Sequence, residues 1–159
     1  SAILGYQDDP RFNFGPFLDH RTIVADTAVK MGAFDVRPSD PHLRTANFSG
    51  GNQQKIVLAR EIEHDPDVLL VGQPTRGVDI GAIEFIHRRL IAMRDAGKAV
   101  LLVSVELDEI LALADRILVM SNGRIVGEVA GDAADEGQLG LMMAGVAPDA
   151  VAAGAGAMP

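Results

Sequence analysis

Residues 68–79 read VLLVGQPTRGVD. Four apolar residues lead into Gly72-Gln73, and a Pro-Thr-Arg-Gly turn then closes on Asp79. A short, continuously apolar run rich in branched side chains is the pattern of a strand buried on both faces. KAVLLVS at 98–104 repeats that pattern. Between them, DIGAIEFIHRRLIAMRDAG (79–97) sets Ile83, Ile86, Leu90 and Met93 at three- and four-residue steps, and Gly97 closes the last turn. Strand, helix and strand in this order predict a crossover with parallel pairing, and so an α/β fold.

Upstream, SGGNQQKIVLAREIEHDP (49–66) reads as a loop and a helix whose stripe of Ile56, Leu58, Ala59 and Ile62 ends at Pro66. HRTIVADTAVKM (20–31) predicts another helix, with Ile23, Ala28 and Met31 near one face. The segment joining them, DVRPSDPHLRTANF, is a polar connection, and residues 1–19 read as an irregular lead-in. Downstream, ELDEILALA (106–114) predicts a short helix. In DRILVMSNGRIVGEV (115–129), Asn122-Gly123 stands between two alternating runs, which predicts a β-hairpin. DEGQLGLMMAG predicts a last helix, and VAPDAVAAGAGAMP a frayed end. The expected organisation is a helical subdomain with its lead-in over 1–66, a core over 67–145 and a flexible tail over 146–159.

Composition narrows the function classes. Of 159 residues, 48% are hydrophobic but only 4% aromatic, so the core must be aliphatic. A net charge of -8 argues against a nucleic-acid surface, which needs clustered Lys and Arg. The absence of cysteine excludes disulfides and thiolate metal sites. His20, His42, His64 and His87 have no metal-ligand spacing and read as solvated surface histidines. Glu106, Asp108 and Glu109 read as a helix first turn complementing the macrodipole rather than as a metal site. Met142-Met143 reads as core packing or a small docking surface, and Arg76 as a turn or seam residue rather than a phosphate contact. The chain opens on Ser1 and is expected to be a cut piece of a longer protein.

FSGGNQQK (48–55) puts two glycines at a helix start, where backbone N–H groups converge on an anion with the dipole's positive end behind them. An ordinary N-cap turn would explain the same residues. Followed by the VLLVGQPTRGVD strand and loop and then by VLLVSVELDE, however, the order resembles the ATP-binding subunits of ABC transporters. It is most similar to the second of the two fused nucleotide-binding domains in importers of simple sugars and nucleosides. The resemblance spans residues 1–145, and QPTRGVD leans toward nucleosides.

The resemblance implies an incomplete P-loop NTPase domain of the ABC ATPase type: a helical subdomain plus part of a parallel sheet, ending in a β-hairpin. SGGNQQK would be the signature loop and VLLVGQPTRGVD the Walker B strand with the D-loop. No G-x-x-x-x-G-K-[ST] loop occurs, and Lys55 stands at the wrong place to replace its lysine. Where the family pattern expects a magnesium-binding Asp, a water-polarising Glu and a phosphate-contacting His, this chain has Gly72, Gln73 and Val105. It is therefore expected to be inactive alone, with no catalytic or metal-binding residues of its own and no bound cofactor. ATP and Mg²⁺ would belong to the full-length complex.

Ser49, Gly50, Gly51 and Asn52 would face ATP held by the sister nucleotide-binding domain, and Asp79 would sit across the seam. Transmembrane permease subunits would be the other partners, at the cytoplasmic face of the inner membrane. If the central strand is missing, strands 99–104 and 116–120 would flank a gap, closed by a rearranged sheet or by a homodimer of the chain. A stand-alone, non-catalytic interaction module derived from an ABC ATPase is the alternative reading. An ABC ATPase of soluble repair machines is disfavoured by the acidic balance and the lack of coiled-coil heptads.

Overall fold

In the computed structural model, which describes residues 2–146, contacts divide the chain into two units between Leu101 and Leu102. Apart from Val146, the tail expected over 146–159 lies outside the described residues.

The first unit opens with a 3-10 turn at Pro10–Phe12, capped by the Asp9 carboxylate on the Arg11 N–H. Two short strands follow, β1 (Asn13–Phe14) and β2 (Phe17–Leu18), paired antiparallel through Asn13–Leu18 and Phe14–Phe17. The lead-in is thus more ordered than its sequence suggests. Phe12 is buried as its anchor, while Phe14 and Phe17 stand in solvent. Helix α1 (His20–Ala33) starts where Asp19 accepts from the N–H groups of Arg21 and Thr22. Its buried residues are Lys30 and Met31; Lys30 reaches Asp26 at 2.7 Å, and Ala28, expected inside, is exposed. α1 packs on α2 (Gly50–Ile62), which packs on α3 (Ile80–Asp95).

α3 buries Ala82, Ile86, Leu90 and Met93, the stripe read from the sequence with Ala82 added and Ile83 only half-buried. Its last turn closes when Gly97 donates to Arg94 O and Lys98 to Met93 O. The chain then enters β4 (Ala99–Val103), the neighbour of β3 (Val68–Gly72), with Ala99 N–H on Asp67 O at 2.9 Å. Burial of β3 alternates, which corrects the expectation of a strand covered on both faces. Leu69 and Val71 are buried, whereas Val68 and Leu70 are 66% and 69% exposed. In β4, Leu101 and Val103 are likewise exposed. The run carries apolar side chains for two covered faces, but the described residues cover only one.

In the second unit, α4 (Leu107–Leu113) precedes β5 (Arg116–Ser121) and β6 (Arg124–Ala130). These strands pair antiparallel, from Arg116–Ala130 to Ser121–Arg124, with one register shift at Val119/Met120. The expected hairpin turn is present: Asn122 and Gly123 both have positive φ, 50° and 74°, the backbone that a two-residue turn between twisted strands demands. Ile117 and Val119 face inward and pack with Leu139 and Met142 of α5 (Glu136–Met143), flanked by Leu107, Ile110, Leu111, Val126 and Val129. Met142 is thus a core residue and Met143 is partly exposed. The described residues hold three sheets of two strands each, so of the two closures expected from sequence, a rearranged sheet or a homodimer, direct pairing of β4 with β5 is not among them. The ladder that β5 makes is the one to its own hairpin partner.

Candidate functional site

Ser49 caps α2. Its Oγ accepts from the Asn52 N–H at 3.4 Å and from Asn52 Nδ2 at 2.9 Å. Asn52 is itself fixed, because its Oδ1 accepts from the Arg37 N–H at 2.8 Å. Two donors thus point at the serine oxygen, which leaves its own proton to be donated outward. The first intrahelical bond runs from Gln53 N–H to Ser49 O, so the N–H groups of Gly50 and Gly51 precede the ladder at the positive end of the helix. Ser49 and Gly50 are exposed, whereas Gly51 is buried.

The two glycines permit a close approach. A Cβ on Gly50 would lie 3.1 Å from the Gly77 carbonyl oxygen. One on Gly51 would lie 3.1 Å from Ala82 Cβ and 3.2 Å from Asp79 Oδ2. The structure therefore brings residues 49–52 against the loop that ends at Asp79. The Asp79 carboxylate caps α3 by accepting from the Ala82 N–H at 2.9 Å.

At the end of β3, Gly72 is exposed and open space surrounds the direction of a side chain. Gln73 is half-buried with φ 51°, a left-handed backbone that costs a non-glycine residue about 1–2 kcal/mol. The turn is closed by Arg76 N–H on Gln73 O and Val78 N–H on Thr75 O, each 3.3 Å, which places Arg76 in the turn. Neither position offers a carboxylate, and no group of three or more acidic, His or Cys side chains among the described residues could hold a metal ion. The residues present here do not fit a magnesium site. Lys55 donates to Asp35 O at 3.1 Å and lies over the Phe85 ring, so its ammonium is committed away from residues 49–51. In the second unit Val105 is 61% exposed, after Ser104, whose Oγ accepts from the Glu106 N–H at 3.1 Å.

No family model matches the chain, but individual proteins do. Over 91% of its length it is 48% identical to the nucleoside import ATP-binding protein NupA of Lactococcus lactis, covering 28% of that protein. Over 70% of its length it is 54% identical to the guanosine import ATP-binding protein NupO of Bacillus subtilis, covering 22%. A dimeric ATP-binding cassette with ADP and phosphate bound superposes with a TM-score of 0.61 at 22% identity, over 82% of this chain and 56% of that one. The chain belongs to the ABC ATPase family. It spans about a quarter of the length of the curated relatives it matches, and its α/β fold is that of part of an ABC cassette.

Sequence reasoning missed one member of the first unit. His64 is not a solvated surface histidine: its ring stacks on Tyr6 with centroids 3.3 Å apart, and Nε2 is buried without a hydrogen-bond partner. The partners are remote in sequence, and no local pattern announces the pair.

Proposed function

We propose that the chain works as part of a longer ATP-binding subunit of an importer for simple sugars or nucleosides, where it donates its signature loop to ATP bound on a sister domain. The single observation that supports this most is the construction of the α2 N-terminus. Ser49 Oγ accepts from Asn52, which leaves its own proton for an outside acceptor, and the exposed Gly50 carries the adjacent N–H, while Gly51 is buried against the loop before Asp79. That arrangement offers a terminal phosphate the Ser49 hydroxyl, the Gly50 N–H and the helix dipole.

Its own nucleotide pocket would turn ATP over slowly. Gln73 can hydrogen-bond a water but cannot take its proton, and loss of a general base costs about 10²–10⁴ in rate. Gly72 gives a metal nothing to bind, so Mg²⁺ accompanies ATP in the complex without a ligand from this position. The longer subunit would act peripherally at the cytoplasmic membrane face with permease partners. Among the described residues, no helix is long and apolar enough to cross a membrane. Within it, residues 1–66 form the helical part and 67–145 the core part. The nucleoside- and guanosine-importing names of two relatives favour nucleosides over sugars.

Ser49→Arg in the full-length subunit tests the donation, since an arginine would fill the space a phosphate needs. ATP turnover falling at least about 10²-fold supports it, and unchanged turnover refutes it.

A further inference from the structure

The lead-in is tied to the end of α2 through one pair of rings. Tyr6 and His64 stack with planes 10° from parallel, and the Tyr6 hydroxyl donates to Glu61 Oε2 at 3.1 Å. Tyr6 is built into a tight local framework. Its carbonyl accepts from the Asp9 N–H at 3.1 Å, and Asn13 Nδ2 bridges the carbonyls of Gln7 and Asp9 at 2.8 Å each. The Tyr6 ring thus ties the first residues of the lead-in to the end of α2, while buried Phe12 separately anchors the strand pair that follows.

His64 Nε2 lies out of water with no partner. A neutral imidazole must donate from one nitrogen only, whereas an imidazolium must donate from both. Here the second proton would meet neither acceptor nor solvent, a costly arrangement for a charged group. The surrounding charges do not remedy this. Lys30 on α1 and Arg11 on the 3-10 turn oppose a further positive charge, while Asp9 and Glu61 favour it. Both carboxylates are already engaged, Asp9 by Arg11 and Glu61 by Arg60 and Tyr6, and Lys30 is engaged by Asp26.

We propose that the Tyr6–His64 stack is a proton-sensitive clasp: neutral His64 holds the start of the lead-in at the end of α2, and protonation expels its ring and frees the residues that precede the Phe12 anchor. Burial, ahead of the neighbouring charges, holds the His64 pKa below its ordinary 6.5. A depressed pKa in the closed form means that the clasp is complete above 6.5 and is lost as the pH falls through the lower, closed-form value.

The chain carries its own probe, because Tyr6 is its single tyrosine and it has no tryptophan. Tyrosine emission, the His64 ring-proton shift and the amide shifts of the residues before Phe12 are recorded between about pH 8 and 5. All three are expected to follow one single-proton transition with a midpoint below 6.5. His64→Phe keeps a ring against Tyr6 but cannot ionise, and His64→Gln keeps a polar side chain. The transition should vanish in both. Its persistence in either variant at the same midpoint overturns the proposal. So does a wild-type His64 that titrates while Tyr6 emission and the lead-in amides stay constant.

Discussion

Replacing Gly51 by alanine tests the packing that places the loop at residues 49–52. The added Cβ would stand 3.1 Å from Ala82 Cβ, 3.2 Å from Asp79 Oδ2 and 3.5 Å from Val78 Cβ, where nonbonded carbons prefer about 3.5–4.0 Å. Ala82 is 2% exposed and sits on α3, so it has little room to yield. Overpacking of this kind costs about 1–3 kcal/mol. Pushing Asp79 aside would also weaken the cap on the Ala82 N–H, worth about 1 kcal/mol. Because relief of one strain partly relieves the other, and alanine in the first turn of α2 regains up to about 1 kcal/mol in helix propensity, the expected net loss is about 1–2 kcal/mol. Urea unfolding of Gly51→Ala measures it, with Gly81→Ala as the control. A Cβ at Gly81 meets only Asp79 Oδ1, at an ordinary 3.4 Å, and lies in the first turn of α3. The control should therefore be neutral or gain up to about 1 kcal/mol in helix propensity. A Gly51→Ala protein as stable as wild type would refute the close approach.

Three further outcomes follow from local geometry. Gly131→Ala should destabilise the second unit by about 3 kcal/mol in the same assay, because its Cβ would overlap the Ala114 carbonyl oxygen. Gly123→Ala should cost about 1–2 kcal/mol, since the hairpin turn holds that residue at φ 74°. The Asp9 carboxyl should titrate at about 2, held down by its hydrogen bonds from Arg11. Its contribution to the lead-in is therefore present above the ordinary 3.8 and lost as pH falls through about 2. Carboxyl NMR titration should find it returned toward 3.8 in Arg11→Ala.

Elements with a local code were legible in the sequence. Asn122-Gly123 announces a turn because few residues tolerate that backbone, and the spacing of Ile86, Leu90 and Met93 reports the buried face of α3 directly. β3 and β4 were legible as strands but not in their burial, because a continuous apolar run does not state which faces are covered. The lead-in hairpin escaped notice since FNFGPFL has no alternating pattern, and its order depends on Phe12 finding a buried place. At the candidate site, Ser49, Gly50 and Gly51 were readable from their position before a helix. The Ser49–Asn52 contact is a local cap three residues apart, whereas the hold of Arg37 on Asn52 and the nearness of Gly51 to Asp79 arise from tertiary approach and could not be read from spacing. The empty positions Gly72 and Gln73 became meaningful only beside the family pattern.

The most direct measurement is a single-turnover experiment on the longer importer subunit, with ATP bound at both pockets and the product located by photolabelling. ADP is predicted to form at the sister pocket that faces Ser49, with the pocket beside Gly72 and Gln73 retaining ATP. Equal, rapid ADP formation in both pockets would contradict the division of labour proposed for this chain.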